Sequence, residues 1–213
     1  MKTEELLRKS EKAINGVLAN SNWQKTLNPL GFTAAELRKG LALREEILIL
    51  SVAQQKEYGE QYSATDAMHR AKQDAWKVYK HHLQIARLVF AEDRGQYKAL
   101  QLDGSRDRNI LKWVKQARTF YTNAKNVVAQ LKAYGLQAQD IDQGEAMIEA
   151  VYQAYDLRDK ERDEARQSTQ ARRQKEAQLT RWMRRYMRAL NFAFEYQPVV
   201  LQELGLKVKE EPV

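Results

Sequence analysis

The amino-acid sequence predicts an all-α, elongated helical bundle produced by tandem duplication. It has two short and two very long helices, with the long pair antiparallel about a pseudo-two-fold axis. Three observations carry this. The chain matches itself without a gap at an offset of 104 residues. Only three Pro and nine Gly interrupt 213 residues, too little turn chemistry for an all-β fold. Apolar residues recur at helical rather than strand spacing.

The repeat is clearest where "LNPLGFTAAELRKGLALREE" (27–46) lies over "LKAYGLQAQDIDQGEAMIEA" (131–150). Gly31 meets Gly135, Gly40 meets Gly144, and Leu27, Ala34, Ala42 and Glu45 meet Leu131, Ala138, Ala146 and Glu149. Further on, Lys56, Glu57, Glu60, Thr65, Ala67 and Phe90 meet Lys160, Glu161, Glu164, Thr169, Ala171 and Phe194. A fixed-period self-match over most of the chain reads as duplication. The predicted repeats are 1–104 and 105–213, intertwined into one structure, with the joint near "LDGSRD" (102–107). There Gly104 closes one repeat, and Ser105 or Asp107 is expected to cap the next helix.

The first short helix is read from Leu6, Leu7, Ser10, Ala13, Ile14, Val17 and Leu18, which share one face. "NPLG" (28–31) stops it: Pro29 cannot continue a helix and Gly31 can take positive φ. Thr33, three residues before Glu36, gives a capping box for the next helix. In the second repeat Ile110, Leu111, Ala117 and Tyr121 mark the short helix and Gly135 the stop. Gln137 or Asp140 must then serve as a poorer cap.

Each long helix is expected from about 33 to 92 and from about 137 to 196, stretches without Pro. A continuous helix of that length runs roughly 90 Å, against a radius of gyration of about 17 Å for a compact globule of this size. The competing reading is a hairpin bent near "YGEQYSAT" (58–65), with Ser63 capping. The continuous helix is preferred, because the second repeat carries no turn signal at the matching place. The helix ends are apolar (Leu37, Leu41, Ile47; Trp76, Tyr79, Leu83, Phe90) and the middles polar, with small residues at Ala64/Ser168, Thr65/Thr169 and Ala67/Ala171. The long helices are therefore expected to cross near Thr65 and Thr169, with a small bundle at each end.

Composition narrows function mainly by exclusion. The chain has no Cys, so disulfide and thiolate chemistry are excluded. Mean hydropathy is −0.72, and no apolar run is long enough to span a bilayer. The N-terminal segment carries acids and lacks an apolar signal core, so a cytoplasmic location is expected. Of the three His, adjacent His81 and His82 point to different helix faces, and neither Glu-x-x-His nor His-Glu-x-x-His occurs. Neighbouring carboxylates such as Glu45–Glu46 and Asp163–Glu164 diverge on a helix. Phosphate loops, nucleophile elbows and dinucleotide fingerprints are missing. No enzyme activity, metal or cofactor is expected.

The chain is basic, net +8, and its one conspicuous charge feature is residues 158–188. Arg166, Arg172, Arg173, Arg181, Arg184, Arg185 and Arg188 form a candidate surface for an anionic partner, with Arg158, Lys160, Arg162 and Lys175 in the same run. One reading is a helix that follows a phosphate backbone. The other is a solvated helix with intrahelical pairs such as Arg162 with Asp159 and Lys160 with Glu164. Interleaved Trp182, Met183 and Tyr186 recur at helical spacing and read as core. The function expected is a non-enzymatic scaffold or protein-interaction module, with an unknown protein partner or self-association. Nucleic-acid binding through the Arg-rich segment is the runner-up, and no membrane partner is expected. Tyr58 and Tyr62 in the sparse midsection read as ordinary exposed aromatics, with a partner surface as the alternative.

Through Gly31, Gly40, Glu45, Lys56–Glu57, Glu60, Thr65, Ala67 and "IARLVFAED" (85–93), matched by Gly135, Gly144, Glu149, Thr169, Ala171 and Trp182–Met183, the chain resembles a group of uncharacterised bacterial all-helical tandem-repeat proteins of unknown function. The resemblance implies an all-helical fold and a bacterial cytoplasmic origin, and no catalysis. The group leans acidic. This basic chain departs from it there, so the Arg cluster is not carried over as a group property.

Overall fold

The computed structural model describes residues 3–206, and no strand occurs among them. Helix α1 (Thr3–Ala19) buries Leu6, Ser10, Ala13, Ile14 and Val17 on one face. Buried Ser10 is satisfied by donating its hydroxyl to the Leu7 carbonyl at 2.9 Å. The short helix breaks before the expected stop. Asn20 takes an extended conformation, and its side chain accepts from the N–H groups of Asn22 and Trp23, starting α2 (Ser21–Leu27). An Asn whose amide oxygen can cap competes in this way with helix continuation. A 3-10 turn at Asn28–Leu30 follows, and Gly31 sits at φ 84°. Phe32 N–H then donates to the Leu27 carbonyl at 3.2 Å, closing the helix end.

Helix α3 (Ala34–Val89) is one uninterrupted helix of 56 residues. The stretch 58–65 lies inside it, so the hairpin alternative is excluded. Thr33 Oγ1 accepts from Glu36 N–H at 3.3 Å, half of the anticipated capping box. Glu36 itself turns elsewhere, to Lys39 at 2.9 Å and the Trp182 indole at 3.1 Å. The helix stops a few residues earlier than expected, because Asp93 caps a further short helix, α4 (Arg94–Ala99), accepting from Gln96 N–H at 3.0 Å.

Helix α5 (Ile110–Ala124) is capped by Asn109, not by Ser105 or Asp107. Asp107 acts one step earlier, taking the Asn109 N–H at 2.8 Å. After a 3-10 turn at Lys125–Val127 and α6 (Val128–Lys132), Gly135 sits at φ 87°. Leu136 N–H donates to the Leu131 carbonyl at 3.2 Å. Helix α7 (Ala138–Ala193) again has 56 residues. It begins with the other half of a capping box, since Asp140 Oδ2 accepts from Gln137 N–H at 2.8 Å. Helix α8 (Pro198–Glu203) ends the described chain. The expected pair of short helices is thus several pieces, divided by Asn and Asp caps. No described helix is long and apolar enough to cross a membrane.

The chain forms two compact units. A terminal unit comprises Met1–Glu57 and Ala165–Val213, and a central unit comprises Tyr58–Glu164. Each draws on both halves of the sequence. The terminal core gathers Leu6, Ile14, Val17, Leu27, Phe32, Leu37 and Ile47 with Leu179, Trp182, Met183, Tyr186, Leu190 and Phe194. Along α3 in this unit, Glu36, Glu46 and Gln54 meet Trp182, Lys175 and Thr169 of α7, at 3.1, 2.5 and 2.7 Å. The central core gathers Tyr79, Leu83, Ala86 and Phe90 with Trp113, Val114, Phe120, Tyr121, Ile141 and Ile148. Buried His82 contacts the Tyr121 hydroxyl through Nδ1 at 3.2 Å.

The helix middles are sparse. Between Ile47 and Ala75 the buried side chains of α3 are Gln54, Ala64 and Met68, and between Val151 and Leu179 that of α7 is Ala165. Thr65 Oγ1 donates back to the Gln61 carbonyl of its own helix at 2.8 Å, and Thr169 to Ala165 at 2.9 Å.

Candidate anion-binding surface

The C-terminal half of α7 contains neither Pro nor Gly, so nothing interrupts its helical periodicity. Leu179, Trp182, Met183, Tyr186 and Leu190 fall on one side and are buried. Two are further tied by polar tips: Trp182 Nε1 donates to Glu36, and the Tyr186 hydroxyl donates to the Ala13 carbonyl at 3.0 Å. These aromatics are core and not available for stacking.

With the apolar side so fixed, a rotation of about 100° per residue decides where the arginines go. Arg166, Arg173, Arg181, Arg184 and Arg188 fall within an arc of about 80° opposite the core, with Arg185 at its edge. All six are exposed. The stripe extends for about 33 Å along the helix. Arg173, Arg181, Arg184, Arg185 and Arg188 make no ion pair with a carboxylate among the described residues.

Arg172 does not belong to this surface. It is partly buried and bound to Glu176 at 2.7 Å, whose carboxylate also accepts from the Thr3 hydroxyl at 2.9 Å. Lys175 is likewise spent on Glu46 at 2.5 Å. Arg185 stands where its charge helps hold the Glu36 carboxyl below its ordinary range. The larger causes there are hydrogen bonds from Lys39 and then Trp182.

The earlier part of the Arg-rich run lies in the central unit and is neutralised locally. Arg158 bonds Asp159 at 2.5 Å and lies over the Tyr155 ring at 4.7 Å. Arg162 reaches Asp159 at 3.4 Å, and Lys160 reaches Glu164 at 3.6 Å. Asp159 is held below its usual carboxylate range, first by the Arg158 hydrogen bond. Residues 165–193, by contrast, hold eight basic groups and one acid, Glu176. Summed over each unit, the terminal one carries net +7 and the central one +1.

Sequence reasoning missed two members of this surface. Phe192 is 72% exposed and stands one turn beyond Arg188 on the arginine side, and Tyr196 follows it at 89%. The signal was present: Phe192 is out of register with the stripe of Tyr186, Leu190 and Phe194. Tyr62 is well exposed and Tyr58 partly so. Of the imidazoles, His69 and His81 are exposed and His82 is buried. Within neither unit taken alone do three His, Asp or Glu side chains among the described residues converge to metal-ligand distance.

No protein-family model, curated protein or solved structure matches the chain.

Proposed function

We propose that the protein is a non-enzymatic helical interaction module that binds a polyanionic partner through the arginine face of α7. The observation that carries this is the row of exposed guanidinium groups over residues 166–188, five of them without a carboxylate partner, beside a single acid. Arg keeps its charge across the physiological range and presents fixed, forked donors, which suits recognition of carboxylate or phosphate rather than proton transfer. Acidic protein surfaces and phosphate backbones both present such charge.

The frame proposed for this module is a tandem duplication with its long helices antiparallel. The duplication is supported by matching boundaries. Ala34 and Ala138, Val89 and Ala193, and the glycines at φ 84° and 87° are all 104 residues apart. Helices α4 and α8 keep the same offset. Antiparallel pairing is supported within the terminal unit by contact order, since partners on α7 fall from 182 to 175 to 169 as α3 advances from 36 to 46 to 54.

A second reading narrows the partner to nucleic acid. Exposed Phe192 and Tyr196 beside the arginines supply what a charge-only surface lacks, π-faces for unpaired bases. Fluorescence anisotropy with a labelled polyglutamate peptide, a random 30-base single strand and the matching duplex tests both readings. Five phosphate contacts predict a several-hundred-fold loss of duplex affinity between 50 and 200 mM salt. Binding of all three probes supports the general reading, and preference for the single strand supports the narrower one. No binding of any probe at low salt overturns both.

A further inference from the structure

A cavity of about 390 Å³ opens on the central unit. It lies between the middle of α3 and the segment entering α5. Its walls include His69, Lys72 and Trp76 from α3, then Arg106 and Arg108 from the connection, and Trp113 from α5. The volume is within the range of small-molecule sites, which combine apolar walls with a few fixed polar groups. Three of its lining side chains, Lys72, Arg106 and Arg108, are cationic. The one carboxylate at the rim, Asp107, is already engaged by the Asn109 N–H at 2.8 Å.

Two walls of the cavity carry unanswered donors. Trp113 is 1% exposed, and its indole N–H has no acceptor. Arg106 is held by three bonds, from Nη1 to the Tyr79 hydroxyl at 3.2 Å and from Nη2 to the carbonyls of Gln101 and Asp103 at 2.8 Å each. Its Nε–H is nevertheless buried without a partner. Buried donors in folded proteins are almost always satisfied, so the Trp113 indole calls for an explanation; Arg106 Nε–H is less telling, since Nε–H of Arg44, Arg158, Arg162 and Arg172 is buried in the same way elsewhere. Lys72 and Arg108 also pair with no carboxylate among the described residues. Trp76 packs at a tilt against Trp113 and Tyr79, with ring centroids 6.0 and 6.1 Å away and interplanar angles of 59° and 49°, yet keeps about 37% of its surface open.

We propose that this cavity binds a nucleoside monophosphate. A flat base lies against Trp76, and the phosphate is held by Lys72, Arg106 and Arg108. A lone pair on the base accepts from Trp113 Nε1. Guanidinium and ammonium groups meet a phosphate with charge-assisted bonds, and indole stacking on a base is sequence-tolerant. A heteroaromatic base is favoured over a simple aromatic acid because the indole donor needs an acceptor near the π-face, where benzoate has none. The site is independent of the arginine face, which lies in the other unit.

Isothermal titration of the full chain with AMP, GMP, CMP and UMP, beside adenosine, inorganic phosphate and benzoate, tests this. At least one monophosphate is expected to bind saturably and at least about tenfold more tightly than the three controls. Trp113→Phe removes the donor together with three atoms of a fully buried ring, so it also lowers the stability of the unliganded chain. It is expected to weaken binding about tenfold, measured at a temperature where the variant remains folded. K72Q/R108Q, both at the cavity rim, is expected to lose binding and keep the fold. Absence of saturable binding by all four nucleotides overturns the proposal, as does inorganic phosphate binding as tightly as AMP. Binding that survives K72Q/R108Q but is lost on neutralising Arg173, Arg181, Arg184 and Arg188 overturns it too, by moving the nucleotide to the other surface.

Discussion

The terminal and central units are built on helices of equal length and glycines at matching positions, yet they fill and charge that frame differently. A side chain at Gly40 would collide with Trp182, and one at Gly144 with Tyr121. In the terminal unit the aromatic that presses on the glycine comes from the long helix α7; in the central unit it comes from the short helix α5. The central core accordingly clusters Tyr79, Trp113, Phe120 and Tyr121, with ring centroids 5.1 to 6.0 Å apart. The terminal one clusters Phe32, Trp182 and Tyr186 at 5.0 to 5.8 Å. What the backbone requires at both places is a missing Cβ beneath a ring, not a ring of given origin. Surface charge is less constrained still, and there the units differ most.

The largest effect is expected on binding. Changing Arg173, Arg181, Arg184 and Arg188 together to Gln should lower polyanion affinity at least about 100-fold at 100 mM salt. Neutralising Arg158, Lys160 and Arg162 in the central unit should change it less than about twofold, since those charges are already paired. Equal losses from the two sets, measured by anisotropy, would abolish the distinction between the units.

Next come the glycines. Gly144→Ala should cost about 2–3 kcal/mol in urea unfolding, because fully buried Tyr121 has no room to yield. Gly40→Ala should cost about 1 kcal/mol, because Trp182 sits nearer the surface and can shift, and Ala favours the helix. The reverse order would show that exposure of the ring does not set the penalty.

A smaller effect is expected from Tyr186→Phe, which removes the hydroxyl donated to the Ala13 carbonyl in the buried core. It should destabilise by about 1 kcal/mol, and the corresponding probe in the central unit, Tyr121→Phe, by less, because its contact with His82 is longer, 3.2 Å against 3.0 Å. An unchanged urea midpoint for Tyr186→Phe would remove the bond from the account of the terminal core.

The smallest concerns pH. All three His lie in the central unit. Burial holds the His82 imidazole below its ordinary value of 6.5, partly opposed by Asp140 and reinforced by His81. A depressed His binds its proton more readily when unfolded, so its contribution is present above pH 6.5 and fades as pH falls below it. Hydrogen exchange should show the central unit loosening between pH 7 and 5.5 ahead of the terminal one, with His82→Phe flattening the difference. A uniform response in both units would count against it.

How far the sequence disclosed this molecule varies with the kind of signal. The two 56-residue helices were legible because an unbroken run without Pro leaves few alternatives, and Gly31 and Gly135 stood where positive φ was needed. The breaks at Asn20, Asp93 and Asn109 were not, since each is a cap whose effect depends on one side chain turning back on the backbone. The arginine face could be projected from periodicity once the core side was known. That Arg172 and Lys175 are withdrawn from it depends on Glu176 and on Glu46, 129 residues away from Lys175. No local pattern announces a partner at that separation. The cavity beside Trp76 was illegible for the same reason, because it joins α3 to a loop some thirty residues on.

Gln54 stands almost alone among the buried groups in the sparse stretch of α3, and its amide donates to the Thr169 hydroxyl at 2.7 Å. Sliding α7 by one turn would break that bond at a cost of about 0.5–1.5 kcal/mol, while few hydrophobic contacts nearby would notice. A single polar latch can therefore choose the alignment of two rods where grease is too thin to do so.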